Sequence, residues 1–108
     1  MQTIKIHSRD RVTNRGFSSR FNLNEFTIDE DYVEFFHLDL YGDGVYTGES
    51  KNWKTYIFCL EHKGTIETVQ QGVTYSYKFN EGDIVIIEKY TKYTIFGDTK
   101  LHIIHTLI

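Results

Sequence analysis

An all-β fold, closed into a single antiparallel β-barrel or jelly roll, is what this sequence predicts, and three observations predict it. Apolar and polar residues alternate with a period of two in short runs along most of the chain. Alanine and proline are both absent, aromatic residues reach 16%, and Ile, Thr and Val abound. Branched and aromatic side chains fit a pleated surface, while the best helix former is missing. Turn residues punctuate the runs at spacings too short for crossover helices.

The elements follow in order. Ile4 and Ile6 flank Lys5 in a first strand within Gln2 to His7. Ser8 to Arg20 is the least patterned stretch and is expected to be a loop or arm. Spacing closest to helical falls on Asn22 to Tyr32, where Thr27 is placed to cap one turn over Ile28 to Tyr32. Tyr32 to Tyr41 reads as a long strand with Val33, Phe35, His37 and Asp39 on one face and Phe36, Leu38 and Leu40 on the other. Gly42-Asp43-Gly44 signals a turn. The series continues with Trp53 to Glu61, Thr65 to Gln70, Val73 to Phe79, Asp83 to Glu88, Tyr93 to Phe96 and Leu101 to Leu107. Turns are expected at Gln70-Gln71-Gly72, Asn80-Glu81-Gly82-Asp83 and Gly97-Asp98.

At 108 residues and 12.8 kDa the chain has room for one core, so residues 1–108 form one domain, with 1–20 expected as a strand plus arm. A net charge of −3 and a pI near 5.9 speak against a nucleic-acid backbone as partner, which requires a basic face. Arg9, Arg11, Arg15 and Arg20 form the one basic cluster and read first as a solvated face. A single cysteine, Cys59, rules out an intramolecular disulfide, and no Cys/His spacing suggests zinc. The first residues lack the apolar run of a signal peptide and no window reaches the length of a membrane span. A cytoplasmic location with no membrane contact is therefore expected.

Two segments carry a resemblance. Cys59-Leu60-Glu61-His62-Lys63-Gly64-Thr65-Ile66 and Glu81-Gly82-Asp83-Ile84-Val85-Ile86-Ile87 resemble the two signatures of the cupin superfamily, roughly VLEGxGTxxV and GDxxxIPxGxxH. The resemblance covers Val33 to Ile108 and implies a cupin-like barrel. Cupins hold their metal with two histidines, a glutamate and a further histidine from the second segment. Counting from Leu60-Glu61 puts those positions on Gly48, Ser50, Thr55 and Tyr93, and the IPxG turn on Ile87-Glu88-Lys89-Tyr90. A transition metal needs three or four imidazole, carboxylate or thiolate donors. Glycine supplies none and neutral hydroxyls are poor ligands, so a barrel without metal or other cofactor is expected.

A second stretch, Asn14-Arg15-Gly16-Phe17 followed by Arg20-Phe21, is similar to the D-x-RG-x-F segment of nucleotide-sugar epimerases and 3,4-ketoisomerases, which are also metal-free cupins. Ile57-Phe58-Cys59-Leu60 resembles the ketoisomerases' strand. That likeness implies a nucleotide-diphosphate contact for Arg15, whose planar fork pairs two oxygens at once. The catalytic histidines of those enzymes fall where this chain has Gly48 and Ser50.

Three functions are consistent with these features. The first is a metal-free, non-catalytic barrel that binds a small polar ligand or a protein partner. The second is a nucleotide-sugar isomerase or epimerase. The third is a small accessory or inhibitory protein, of a kind that phages encode, using the barrel as a scaffold. Ligand contacts are expected from Tyr93 and Thr55 on the inward face, with His37 and Arg15 adding polar groups. His37 is expected inside, as a satisfied imidazole or as a general base. Thr55, Ile57 and Cys59 share the inward face, Trp53 stands at the rim, and His102 and His105 point to opposite faces. A homodimer is expected because barrel edges leave main-chain groups unpaired, with Gln2 to His7 as the exchanged edge.

Overall fold

The computed structural model describes residues 3–6, 11–28 and 30–107. Among them are seven strands and no helix: β1 (Val12–Phe17), β2 (Phe21–Phe26), β3 (Val33–Glu49), β4 (Lys54–Gln70), β5 (Val73–Asn80), β6 (Ile84–Ile87) and β7 (Lys92–Thr106). Every pairing is antiparallel. The order is β1-β2-β3-β7-β4-β5, with β6 added to β4. No helix of the described residues is long and apolar enough to cross a membrane.

The three long strands form the spine, β7 lying between β3 and β4. Each has a glycine near its middle, and the three glycines stand in register: Gly97 opposes Gly44 on one side and Gly64 on the other. The ladder also slips between Leu40 and Gly44 and between Cys59 and Glu61. Slips of this kind bend a strand and raise its twist. The spine is thereby divided into two halves. One half carries β1, β2 and β6; the other carries β5.

Both halves contribute to one core. Leu38, Leu40, Ile57, Cys59, Leu101 and Ile103 come from the first half, and Ile66, Phe79, Tyr93 and Ile95 from the second. The halves therefore close on each other. Phe21 of β2 and Tyr46 of β3 meet across the gap with ring centroids 6.0 Å apart. Each fully buried large aliphatic side chain contributes about 1.5–3 kcal/mol of transfer free energy.

Several expectations change. Gly42-Asp43-Gly44 and Gly97-Asp98 do not end strands; they bend continuous ones, so the predicted pairs of short strands are halves of β4 and β7, and the strand expected over Tyr32 to Tyr41 runs on to Glu49 as β3. Ser8 to Arg20 is not simply an arm: residues 12–26 form the β1–β2 hairpin. Its turn is held by Ser18, whose N–H donates to the Phe21 carbonyl and whose Oγ accepts from the N–H groups of Arg20 and Phe21. The helical spacing of Asn22 to Tyr32 is likewise overridden, because Leu23 is needed against Leu38 in the core. Ile4 to Ile6 is not in a strand; the Gln2 and His7 ends of that expected element, and Arg9, lie outside the described residues. The turns at Gln71-Gly72 and Gly82 are as expected, with φ of +52°, +78° and +88°.

The outward face of the first half is unusually aromatic. Register places Phe26, Phe35, Ile104, Tyr56 and Ile86 side by side across five strands, with His37, His102, Phe58 and Ile84 in the row beside them. His37 and His102 rings lie 5.3 Å apart. Burial first, and the neighbouring His37 second, lower the pKa of His102 from its ordinary 6.5. The unfolded chain therefore binds this proton more readily than the native one. Its contribution to stability is present above the ordinary imidazole value and is lost as pH falls through the lowered one. The melting temperature should drop as pH is lowered from about 7 to about 5, and His102→Gln should flatten that slope. An unchanged slope in the variant would show that His102 is not the group responsible.

Candidate functional site

The four positions that correspond to cupin metal ligands are each occupied for another purpose. Gly48 and Tyr93 are direct cross-strand partners. A Cβ built on Gly48 would lie 2.7 Å from the Tyr93 ring and hydroxyl. The missing side chain of Gly48 is thus the space that the Tyr93 ring fills. Burial pushes the Tyr93 phenol well above its ordinary pKa, with Tyr46 adding to the shift. Ser50 is fully buried; its Oγ donates to the Glu88 carbonyl at 2.7 Å and accepts from the Thr91 N–H at 2.8 Å. It fastens the loop between β6 and β7 to the end of β3. Thr55 is fully buried as well, beside Ile57 and Cys59 on the inward face. Among the described residues no three His, Cys, Asp or Glu side chains converge as a metal would need.

Tyr93 also lines a cavity of about 380 Å³. On one side stand Ile66, Thr68 and Gln70 of β4, and Tyr77 of β5; on the other runs the whole of β6, from Ile84 to Ile87, followed by Glu88. Successive strand residues point to opposite faces, so a run of five in one lining means that β6 is met along its edge. Among the described residues β6 pairs with β4 alone, so that edge is open. The Cys59 N–H donates to the Asp83 carbonyl at 3.0 Å. Hydrogen-bonded positions recur at every second residue of an antiparallel ladder. Val85 and Ile87 therefore face β4 with their main-chain groups, and Ile84 and Ile86 turn theirs away from it. The barrel has a seam here, between β6 and β5.

The seam is apolar and uncovered. Tyr75 and Tyr77 oppose Thr68 and Ile66, which puts both on the concave side of the sheet, yet Tyr77 is 56% exposed. Ile84 and Ile86 are 61% and 55% exposed on the other flank. A broader depression of about 940 Å³ lies over the bend, lined by Lys63, Lys78, Phe79 and Asp98 among others.

A second feature sits on the inward face of the first half. Glu34, His105, Thr55 and Ile87 form one cross-strand row. His105 Nδ1 lies 3.2 Å from Glu34 Oε1, which fixes the ring and leaves Nε2 as the free nitrogen. Both that Nε2 and Thr55 Oγ1 are buried and have no hydrogen-bond partner among the described residues. Trp53 packs against the same imidazole at 6.0 Å.

Of the expected site residues, Tyr93 is at the cavity and Thr55 lies one strand from Ile87, which lines it. His37 is not interior. Its alternation partners Phe36 and Leu38 take the core face, so the imidazole is turned outward, where its Nε2 meets Asp39 Oδ1 at 2.9 Å. Arg15 is on the sheet's far edge strand, β1, paired with Glu25 at 2.7 Å. Neither belongs to the constellation around Tyr93. Sequence reasoning missed His105, Glu34 and the β6 edge. Leu101 and Ile103 as core residues would have put His105 inward by parity, but its pairing with Glu34 spans most of the chain and left no local signal.

No protein-family model matches this chain, and no curated protein does. Solved structures do. Bacillus subtilis oxalate decarboxylase, a protein with Mn(II) centres, superposes with a TM-score of 0.80 at 11% identity, over 98% of this chain and 30% of its own. Vicilin from Corylus avellana gives 0.79 at 13% identity, over 90% and 31%. The CENP-C cumin domain of Drosophila melanogaster gives 0.71 at 12% identity, over 96% and 79%. This chain thus spans about a third of the first two. These are cupin-fold proteins, and the fold of this chain is the cupin barrel. At such identities the likeness concerns fold alone.

Proposed function

We propose that this chain is a non-catalytic binding module, and that its partner is a polypeptide laid in extended form along the seam between β5 and β6. The observation that carries this reading is the β6 edge: unpaired main-chain groups at Ile84 and Ile86, flanked by exposed isoleucines, beside a cavity floored by Tyr93. Strand addition uses this chemistry, with main-chain hydrogen bonds giving affinity and pockets for alternate side chains giving specificity. The cavity takes one apolar side chain of the partner. Tyr77, Thr68 and Gln70 contact its neighbours. The absence of catalysis is supported by how the family's ligand positions are used, since Gly48 is covered by a ring and Ser50 is committed to a loop. The isomerase reading has less support, since Arg15 is on β1 beside Glu25 and does not line the cavity at Tyr93.

The test is a displayed library of random octapeptides, panned against the wild type and against Ile86→Pro. Proline there removes only a donor turned away from β4, and edge positions tolerate it. Selected peptides should carry apolar residues at alternate positions and lose at least tenfold in affinity for the variant, about 1.4 kcal/mol. Peptides that bind both proteins equally would place binding elsewhere.

One observation favours a second reading, a small polar ligand. Thr55 Oγ1 and His105 Nε2 are buried and unpartnered on directly opposed residues, and such groups ordinarily have partners. A neutral group that both donates and accepts would satisfy the pair. Thermal shift against sugars, amides and nucleotides tests it, a rise that vanishes in Thr55→Val being the expected result.

A further inference from the structure

We infer that the outward face of the first half binds one divalent transition ion, of the zinc, nickel and copper class, through the imidazoles of His37 and His102. The site is separate from the seam and from the four interior positions, and it does not rest on the strand-addition reading. His37 of β3 and His102 of β7 are direct cross-strand partners, so their side chains leave the same face of the sheet side by side. The ring centroids lie 5.3 Å apart at an interplanar angle of 68°. Two imidazoles that share one zinc, each nitrogen about 2.0–2.1 Å from it, hold their centroids about 5 Å apart. The rings already stand close to the spacing of a chelate.

Each ring also has a nitrogen to give. Asp39 Oδ1 accepts from the His37 Nε2–H at 2.9 Å, which leaves the lone pair of the neutral ring on Nδ1. A carboxylate behind a ligating histidine fixes its tautomer and raises its basicity. Among the described residues, His102 has the rings of Phe35, at 4.9 Å, and His37 as neighbours, and no hydrogen-bond partner. Both imidazoles are only half-buried, so an ion can reach them from solvent. Asn24 and Phe58 flank the pair along its row, and neither brings a charge. Lys100, opposite Asp39, is the nearest cation by register, and it is drawn to Glu61 Oε2 at 3.8 Å. Two protein donors are fewer than a permanent centre has, so water completes the coordination sphere and the ion exchanges. Neutral imidazole suits zinc, nickel and copper, whereas magnesium and calcium prefer oxygen.

Thermal melts of the untagged full chain at neutral pH, with zinc, nickel or magnesium chloride, provide the test. Zinc and nickel should raise the melting temperature in step with their concentration, and magnesium should not. His37→Gln and His102→Gln should each abolish the rise, while His62→Gln, at an exposed position on β4, should keep it. Asp39 is a positioning residue. Asp39→Asn should weaken nickel binding about tenfold by calorimetric titration, with the ion-free melting temperature hardly moved, since exposed pairs contribute little. No rise with zinc or nickel up to about 1 mM overturns the inference. So does a rise that survives in either glutamine variant, one lost equally in His62→Gln, or an equal rise with magnesium. Should one glutamine variant lose the native far-ultraviolet spectrum, the other carries the test.

Discussion

Alanine at Gly44 or Gly64 should destabilise the protein by about 2–4 kcal/mol, a large share of the roughly 5–15 kcal/mol that holds a domain of this kind together. The cause is the meeting of three backbones at the bend. A Cβ on Gly44 would lie 2.8 Å from the Arg20 carbonyl oxygen and 2.9 Å from that of Gly97. One on Gly64 would lie 2.8 Å from the Phe96 carbonyl and 2.5 Å from the Phe79 ring. Carbonyls in a ladder cannot rotate aside without breaking their hydrogen bonds, so the strain spreads into the spine. Gly82 is the control: its φ of +88° disfavours a side chain, but open space surrounds it, and alanine there should cost only about 1–2 kcal/mol. Urea unfolding of the three variants decides the matter. Equal midpoints for Gly44→Ala and Gly82→Ala would show that the bend is not as tightly packed as described.

The second large effect concerns Gly48 and Tyr93, which should prove strongly coupled. Tyr93→Ala removes a buried ring and should cost about 3–5 kcal/mol. Gly48→Ala forces a methyl into that ring and should cost about 1–3 kcal/mol. Introduced together, the methyl enters space that the ring has left, and the double variant should be more stable than the sum by at least about 1 kcal/mol. Additivity within about 0.5 kcal/mol would mean that the ring moves aside freely, and that the family's ligand position is vacant rather than filled.

Much of this architecture was legible in the residues, and the failures share a physical origin. Alternation separated Phe36, Leu38 and Leu40 from Val33, Phe35, His37 and Asp39, but an interior His37 takes the wrong one of those two faces as the inward one; Thr55, Ile57 and Cys59 of β4 do share the inward face, as expected. The same alternation warns that His37 faces away, since it stands between Phe36 and Leu38, which both turn to the core. Glycines were read as turns because a turn and a bend use the same conformational freedom. Only the neighbour opposite distinguishes them, and Gly44, Gly64 and Gly97 find one another across strands remote in sequence. The β1–β2 hairpin escaped because β1 has only Val12 and Phe17 as apolar residues, and most of β2 falls in the stretch whose spacing reads closest to helical. The candidate site was half legible. Tyr93 followed from the counted resemblance, but an unpaired strand edge is a property of topology, and no run of residues spells it out.

The position of β7 bears on how the chain comes to be folded in a cell. Of the seven described strands it is the last to be synthesised, yet it is the one that β3 and β4 both lean on. Until it emerges, those two strands have nothing between them, and what stands ready is little more than the hairpins at either flank. Sheet pairings between distant residues form slowly, and here the slowest must also wait for synthesis to reach Thr106. During that interval β3 and β4 each lack the partner along one edge, the kind of surface on which incomplete chains aggregate or are bound by chaperones. Translation speed over the last strand, and not only the sequence of the core, should therefore influence how much of this protein reaches its native form.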